Sequence, residues 1–173
     1  VADHTRTRLA LPPQLTGEDA WRVVRSRAGD LTQVSERLRW HPFSGFEYRL
    51  THPLTPGGAP QRVYAIVDRL TGQATLTDPW PELHEFTSEH ERDCVADPGW
   101  NTTGFAEAAR RARRLVATAA MRRHRLAVTS TVSEVRAVES LWKPNWLLES
   151  RLRGHRLQIL VDAITGGYYV VGT

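Results

Sequence analysis

The sequence predicts an α+β fold, a tandem duplication of one module in which a helix packs on an antiparallel β-sheet of about four strands. Three internal matches predict it. Arg62-Val63-Tyr64-Ala65-Ile66-Val67-Asp68-Arg69-Leu70-Thr71-Gly72 has a partner in Arg156-Leu157-Gln158-Ile159-Leu160-Val161-Asp162-Ala163-Ile164-Thr165-Gly166. Upstream, Trp40-His41-Pro42 precedes Arg49-Leu50 as Trp142-Lys143-Pro144 precedes Arg151-Leu152. Thr16-Gly17 and Thr103-Gly104 each open a helix. Matches in the same order along a chain are the mark of a repeat.

The elements follow in order. Residues 1–15 form an N-terminal extension, 16–77 a first helix-plus-sheet repeat, 78–101 a polar linker and 102–173 a second repeat. Thr16 with Asp19 three residues on resembles a capping box, and the helix runs through about Ala28 until Gly29 stops it. Strands are expected at 31–40, 45–51, 62–68 and 73–77. In the second repeat the helix is longer, from about Gly104 to Leu126, with strands at 127–140, 146–153, 155–162 and 167–172. Val63, Ala65 and Val67 alternate with Tyr64, Ile66 and Asp68, which gives one apolar face and one mixed face. Pro42 and Pro144 are expected at a bulge or corner, because proline breaks strand pairing. Asp-x-x-Thr-Gly reads as a hairpin turn: Asp accepts from the turn's amides and Gly supplies positive φ. The extra residues of the first copy fall in the Pro/Gly-rich stretch 51–60, where loops absorb insertions cheaply.

Composition narrows the class. Of 173 residues, 40% are hydrophobic, enough for a packed core and too many for a disordered chain. One cysteine, Cys94, allows no internal disulfide and excludes the small disulfide-rich class. The net charge is +4, and Lys143 is the sole lysine. Such arginine bias fits bidentate contacts to phosphate or carboxylate, or simply a GC-rich genome. No run approaches the ~18 apolar residues of a membrane helix. The chain opens Val1-Ala2-Asp3 without methionine, which is read as a processed or trimmed product whose upstream signal or anchor is an open question.

A strand ending Val67-Asp68 before Thr71-Gly72, and again Val161-Asp162 before Thr165-Gly166, resembles the PepSY family. Gln73-Ala74 and Gly167-Tyr168 depart from the Glu-Val common at that place. The resemblance implies a cystatin-like helix on a sheet, an extracytoplasmic setting and a role in binding or restraining another protein, such as a peptidase or a membrane-complex subunit. It brings no catalytic residues.

Candidate chemistry is sparse. His84, His90 and Cys94 lie at His-x5-His-x3-Cys, which matches no zinc signature, so no metal is expected there. No Gly-rich phosphate loop, nucleophile elbow or His-Glu-x-x-His run is present, and no cofactor is expected. In the long helix Ala108, Ala112, Leu115, Val116, Ala119 and Leu126 share one face, while Arg110, Arg111, Arg113, Arg114, Arg122 and Arg125 form a basic stripe opposite. Such a stripe can grip phosphates, lipid or an acidic partner, or be a solvated outer face. Trp40, Trp142 and Trp146 are candidate partner contacts. The reading is a non-catalytic protein-binding or regulatory module, the soluble part of a secreted or membrane-anchored bacterial protein. The alternatives are nucleic-acid binding through helix 105–126, and a small-molecule or enzymatic pocket between helix and sheet.

Overall fold

A computed structural model describes residues 3–51, 60–94, 102–123 and 131–172. The strands are β1 (Asp3–Thr5), β2 (Leu9–Ala10), β3 (Leu31–Thr51), β4 (Gln61–Asp68), β5 (Ala74–Thr77), β6 (His84–Glu85), β7 (Thr131–Leu152), β8 (His155–Asp162) and β9 (Tyr168–Gly172). The helices are α1 (Gly17–Arg25), α2 (Ser88–Glu91) and α3 (Phe105–Arg123).

The expected pair of separate α+β modules does not form. All nine strands belong to one mixed sheet, in which strand predominates over helix and the order β5-β4-β3-β7-β2-β6 runs through the centre. β1 adds to β7 in parallel, and β8 and β9 extend from the other half of β7. The cause is the length of β3 and β7, at 21 and 22 residues against a usual five or six. They pair antiparallel along their whole length, from Leu31 opposite Leu152 to Thr51 opposite Thr131. The segments 31–40 and 45–51 are therefore one strand, as are 131–140 and 146–152.

Pro42 and Pro144 do not end these strands, contrary to expectation, and hydrogen-bond direction explains why. A strand residue points its N–H and C=O to the same side. The Pro42 carbonyl accepts from the Arg69 N–H at 3.0 Å, and the Pro144 carbonyl from the Ala163 N–H at 3.2 Å. Each proline thus turns its missing donor away from the β3–β7 seam, onto the side where β4 or β8 has reached its turn. The register sets His41 opposite Lys143, with Trp40 opposite Pro144 and Pro42 opposite Trp142. The two Trp-x-Pro triplets cross there about a local two-fold normal to the sheet.

The helices are exchanged across this seam. α1 packs Ala20, Trp21 and Val24 on Leu148, Ile159 and Val161 of β7 and β8. α3 packs Ala108, Ala112 and Val116 on Phe46, Tyr48, Ala65 and Val67 of β3 and β4. Thr16 caps α1 with the reciprocal Asp19 contact of a capping box. Between the helices, Trp40, Trp142, Phe86 and Ala10 form a third cluster. The opposite face is sealed by Leu11, Ile66, Val138 and Leu141, with Trp80 packed against them. A Cβ on Gly45 would lie 2.7 Å from the Trp80 ring, so only glycine admits Trp80 there.

The two Asp-x-x-Thr-Gly turns share one hydrogen-bond plan. Asp68 accepts from the amides of Leu70 and Thr71 at 2.7 and 3.2 Å, and Asp162 from those of Ile164 and Thr165 at 2.8 and 3.2 Å. Gly72 and Gly166 have φ of 73° and 77°. The sequence matches thus mark repeated strands and turns inside one sheet, not independent units.

Candidate functional site

The outer strands of the two ends differ in cover. α3, with 19 residues, reaches over β4 as far as β5, where Ala74 packs on its core cluster. α1, with nine residues, stops over β7 and β8. β9 is left bare: Tyr168, Tyr169, Val170 and Val171 are 38%, 62%, 54% and 53% exposed. Among the described residues β9 pairs with β8 alone, so the backbone groups along its outer edge have no strand beside them. Edge strands in stable monomers carry lysine, proline or a covering element; Tyr168–Gly172 contains neither lysine nor proline, and no described element covers it. The Tyr169 phenol is held above its ordinary pKa, first by burial of its hydroxyl and then by the charges of Asp68 and Asp162. Tyr169 pairs with Leu160, which shares a face of β8 with Asp162, the face that carries the polar centre of the sheet.

That centre lies on the helix-free face. Lys143 Nζ meets Asp162 Oδ2 at 2.5 Å and sits 5.6 Å from the Phe43 ring centroid. Burial acts to raise the Asp162 pKa, but the Lys143 hydrogen bond and charge overcome it and hold the carboxylate below its usual range. His41 Nδ1 lies 2.7 Å from Asn145 Nδ2. Burial drives its pKa down to about 4, against the charge of Asp68 and with those of Arg39 and Lys143. The neutral imidazole accepts from the amide. These groups satisfy one another.

Comparison with protein-family models, with curated proteins and with solved structures finds no match.

Of the candidate residues read from the sequence, Trp40 and Trp142 are brought together, but in the core and not on a surface. Trp40 and Trp142 are 5% and 7% exposed; Phe86 stacks on Trp142 with ring centroids 4.5 Å apart and meets Trp40 edge-on at 6.1 Å. Trp146 is half-buried against the α1 core and donates its indole N–H to the Leu15 carbonyl at 2.9 Å. On α3, Arg110 and Arg111 both pair with Glu107, and Arg111 also donates to the Gly72 carbonyl at 2.7 Å. Arg113, Arg114 and Arg122 are exposed and make no ion pair with a described residue. Arg125 and Leu126 lie outside the described residues. Among the described residues the stripe is therefore three arginines without an ion pair, one, Arg110, paired within the helix, and one, Arg111, that also ties the helix to the Asp68 turn.

In the linker, His90 Nδ1 caps α2 by accepting from the Thr87 amide at 3.0 Å, and its ring stacks on Phe86. Cys94 is half-buried beside Trp40, where burial pushes its thiol up to about 11. It is not a ready thiolate. His84 is exposed on β6. Among the described residues no group of three His, Cys, Asp or Glu side chains could hold a metal ion. Sequence reading placed a strand at 167–172 but missed its exposure. The available signal was the unbroken apolar run Tyr168–Val171, where a half-buried strand would alternate.

Proposed function

We propose that this protein is a non-catalytic binding module that captures an extended segment of another protein by adding it as a strand beside β9. The observation that carries this reading is the uncovered, uncharged apolar edge Tyr168–Gly172. Strand addition draws affinity from backbone hydrogen bonds and specificity from alternate side chains. Here Tyr168 and Val170 offer contacts on the helix-bearing face and Tyr169 on the other, with Val171 at a bulge opposite the Gln158–Ile159 step. Exposed Arg156, 3.8 Å from Glu149, stands near the Gly172 end of β8. The fitting partner is an apolar, proline-free extended segment with an acidic residue at the end nearest Arg156. The role implied by the PepSY resemblance, binding or restraint of another protein, agrees with this mode.

The test is selection of binders from a library of displayed peptides, followed by amide-exchange mapping. Expected binders are apolar extended sequences that protect the amides of 168–172. The paired change Tyr169→Lys and Val170→Lys, one on each face, should abolish capture without lowering the melting temperature. Selected peptides that leave β9 unprotected would refute the reading. So would tight nucleic-acid binding at about 150 mM salt that is lost when Arg113, Arg114 and Arg122 become Gln, since that is the behaviour of a phosphate-binding stripe.

A further inference from the structure

We propose a second, separate site: the cavity between the C-terminal half of α3 and the open end of the β4–β5 hairpin binds a small, mainly apolar molecule with an uncharged hydrogen-bonding head. The cavity measures about 350 Å³, within the range of small-molecule sites. It arises where the two helices differ. α1 ends after Arg25, whereas α3 continues beyond its core contact at Val116. The added turns face the sheet with Ala119 and Ala120, which are too short to close on Leu50 and Val63. At the other end of the sheet, Trp21, 2% exposed, fills the space beneath its helix.

The ligand class follows from the lining. Leu50, Val63, Leu76, Val116, Ala119 and Ala120 supply apolar walls. β5 pairs with β4 only as far as Tyr64 opposite Thr77, so the β4 edge at 61–63 opens beside the cavity. Among the polar lining groups, Arg62 is taken by Glu47, and the Tyr64 hydroxyl lies 3.3 Å from the same carboxylate. The remaining charge in the lining is Asp78. A carboxylate head would thus meet negative charge with no free cation among the described lining residues, whereas an alcohol or amide finds neutral partners in Gln61 and the open β4 edge. Burying an unpaired carboxylate is costly, and burying a hydrogen-bonded hydroxyl is not.

The experiment is a titration of the whole protein with octan-1-ol and, separately, octanoate, followed by methyl and amide NMR. Octan-1-ol should shift Val63, Val116, Ala119 and Ala120 saturably, and octanoate should bind about tenfold more weakly because its charge is left unpaired. Ala119→Phe and Ala120→Leu each fill the cavity, so each should abolish the shifts while keeping the native melting temperature. Two variants are used because one can overpack the core. Absence of saturable shifts would overturn the proposal. Shifts centred on β9, binding that survives whichever filled variant folds, or tighter binding of octanoate would do so as well.

Discussion

At the scale of single residues, the centre of the sheet is set by what each side chain gives up on burial. His41 stays neutral because desolvation outweighs the nearby Asp68 carboxylate. Its folded-state pKa, about 4, lies below the 6.5 of an exposed imidazole. Between these values the unfolded chain binds more protons than the folded one, so stability must rise with pH through that window. The contribution is fully present above about pH 6.5 and is lost as pH falls towards 4, roughly 3 kcal/mol in all at about 1.4 kcal/mol per pKa unit. Urea denaturation across pH 4–7 should show this slope. His41→Gln, which retains an acceptor for Asn145, should flatten it. An unchanged slope in the variant would assign the pH dependence elsewhere. Asp162, whose pKa is lowered by Lys143, acts below this window, where its protonation removes a further stabilising pair.

At the scale of elements, β7 carries a bulge where Ser44 faces the Glu139–Ser140 step. The bulge is held by Arg69, 7% exposed, which donates to the Ser44 hydroxyl at 3.0 Å and to the Glu139 carbonyl at 3.2 Å. Ser44 itself donates to the same carbonyl at 2.8 Å. Ala163 stands at the position matching Arg69 in the other turn, so this clamp belongs to one half alone. Replacing Arg69 with Met keeps much of the packing and removes charged hydrogen bonds from a buried site. It should cost about 2–4 kcal/mol. The change should appear as a lower denaturation midpoint with unaltered slope. Alanine substituted for Lys143, whose partner Asp162 has its own amide donors, is expected to cost less than the Arg69 change. A smaller loss for Arg69→Met would place the bulge outside the stabilising network.

At the scale of the whole molecule, the exchange of helices makes the two halves depend on each other. α1 has its apolar surface on β7 and β8, and α3 has its own on β3 and β4. A fragment of residues 1–94 would leave Phe46, Tyr48 and Val67 without α3 and β3 without β7. It should be unfolded by circular dichroism and amide dispersion, and the intact chain should unfold in one cooperative step. Mixing fragments 1–94 and 102–173 should restore the native spectrum. A fragment folded on its own would contradict the single-sheet architecture.

The sequence by itself determined local structure. The capping box at Thr16, the Asp68 and Asp162 turns with their positive-φ glycines, and the apolar face of α3 are all set by contacts a few residues apart, so spacing suffices to read them. Four of the expected strand ranges, near 62–68, 73–77, 155–162 and 167–172, match β4, β5, β8 and β9 closely. Only the tertiary structure decided how these pieces combine. Whether Pro42 breaks a strand depends on which side its absent N–H faces, and that is fixed by β4 and β7, not by the neighbouring residues. Trp40 and Trp142 are made interior by Phe86 from a distant linker, while Tyr168 and Val170 are left exposed because α1 ends too early to cover them. Burial and pairing are properties of the partner surface, and no spacing along one strand encodes where that partner stops.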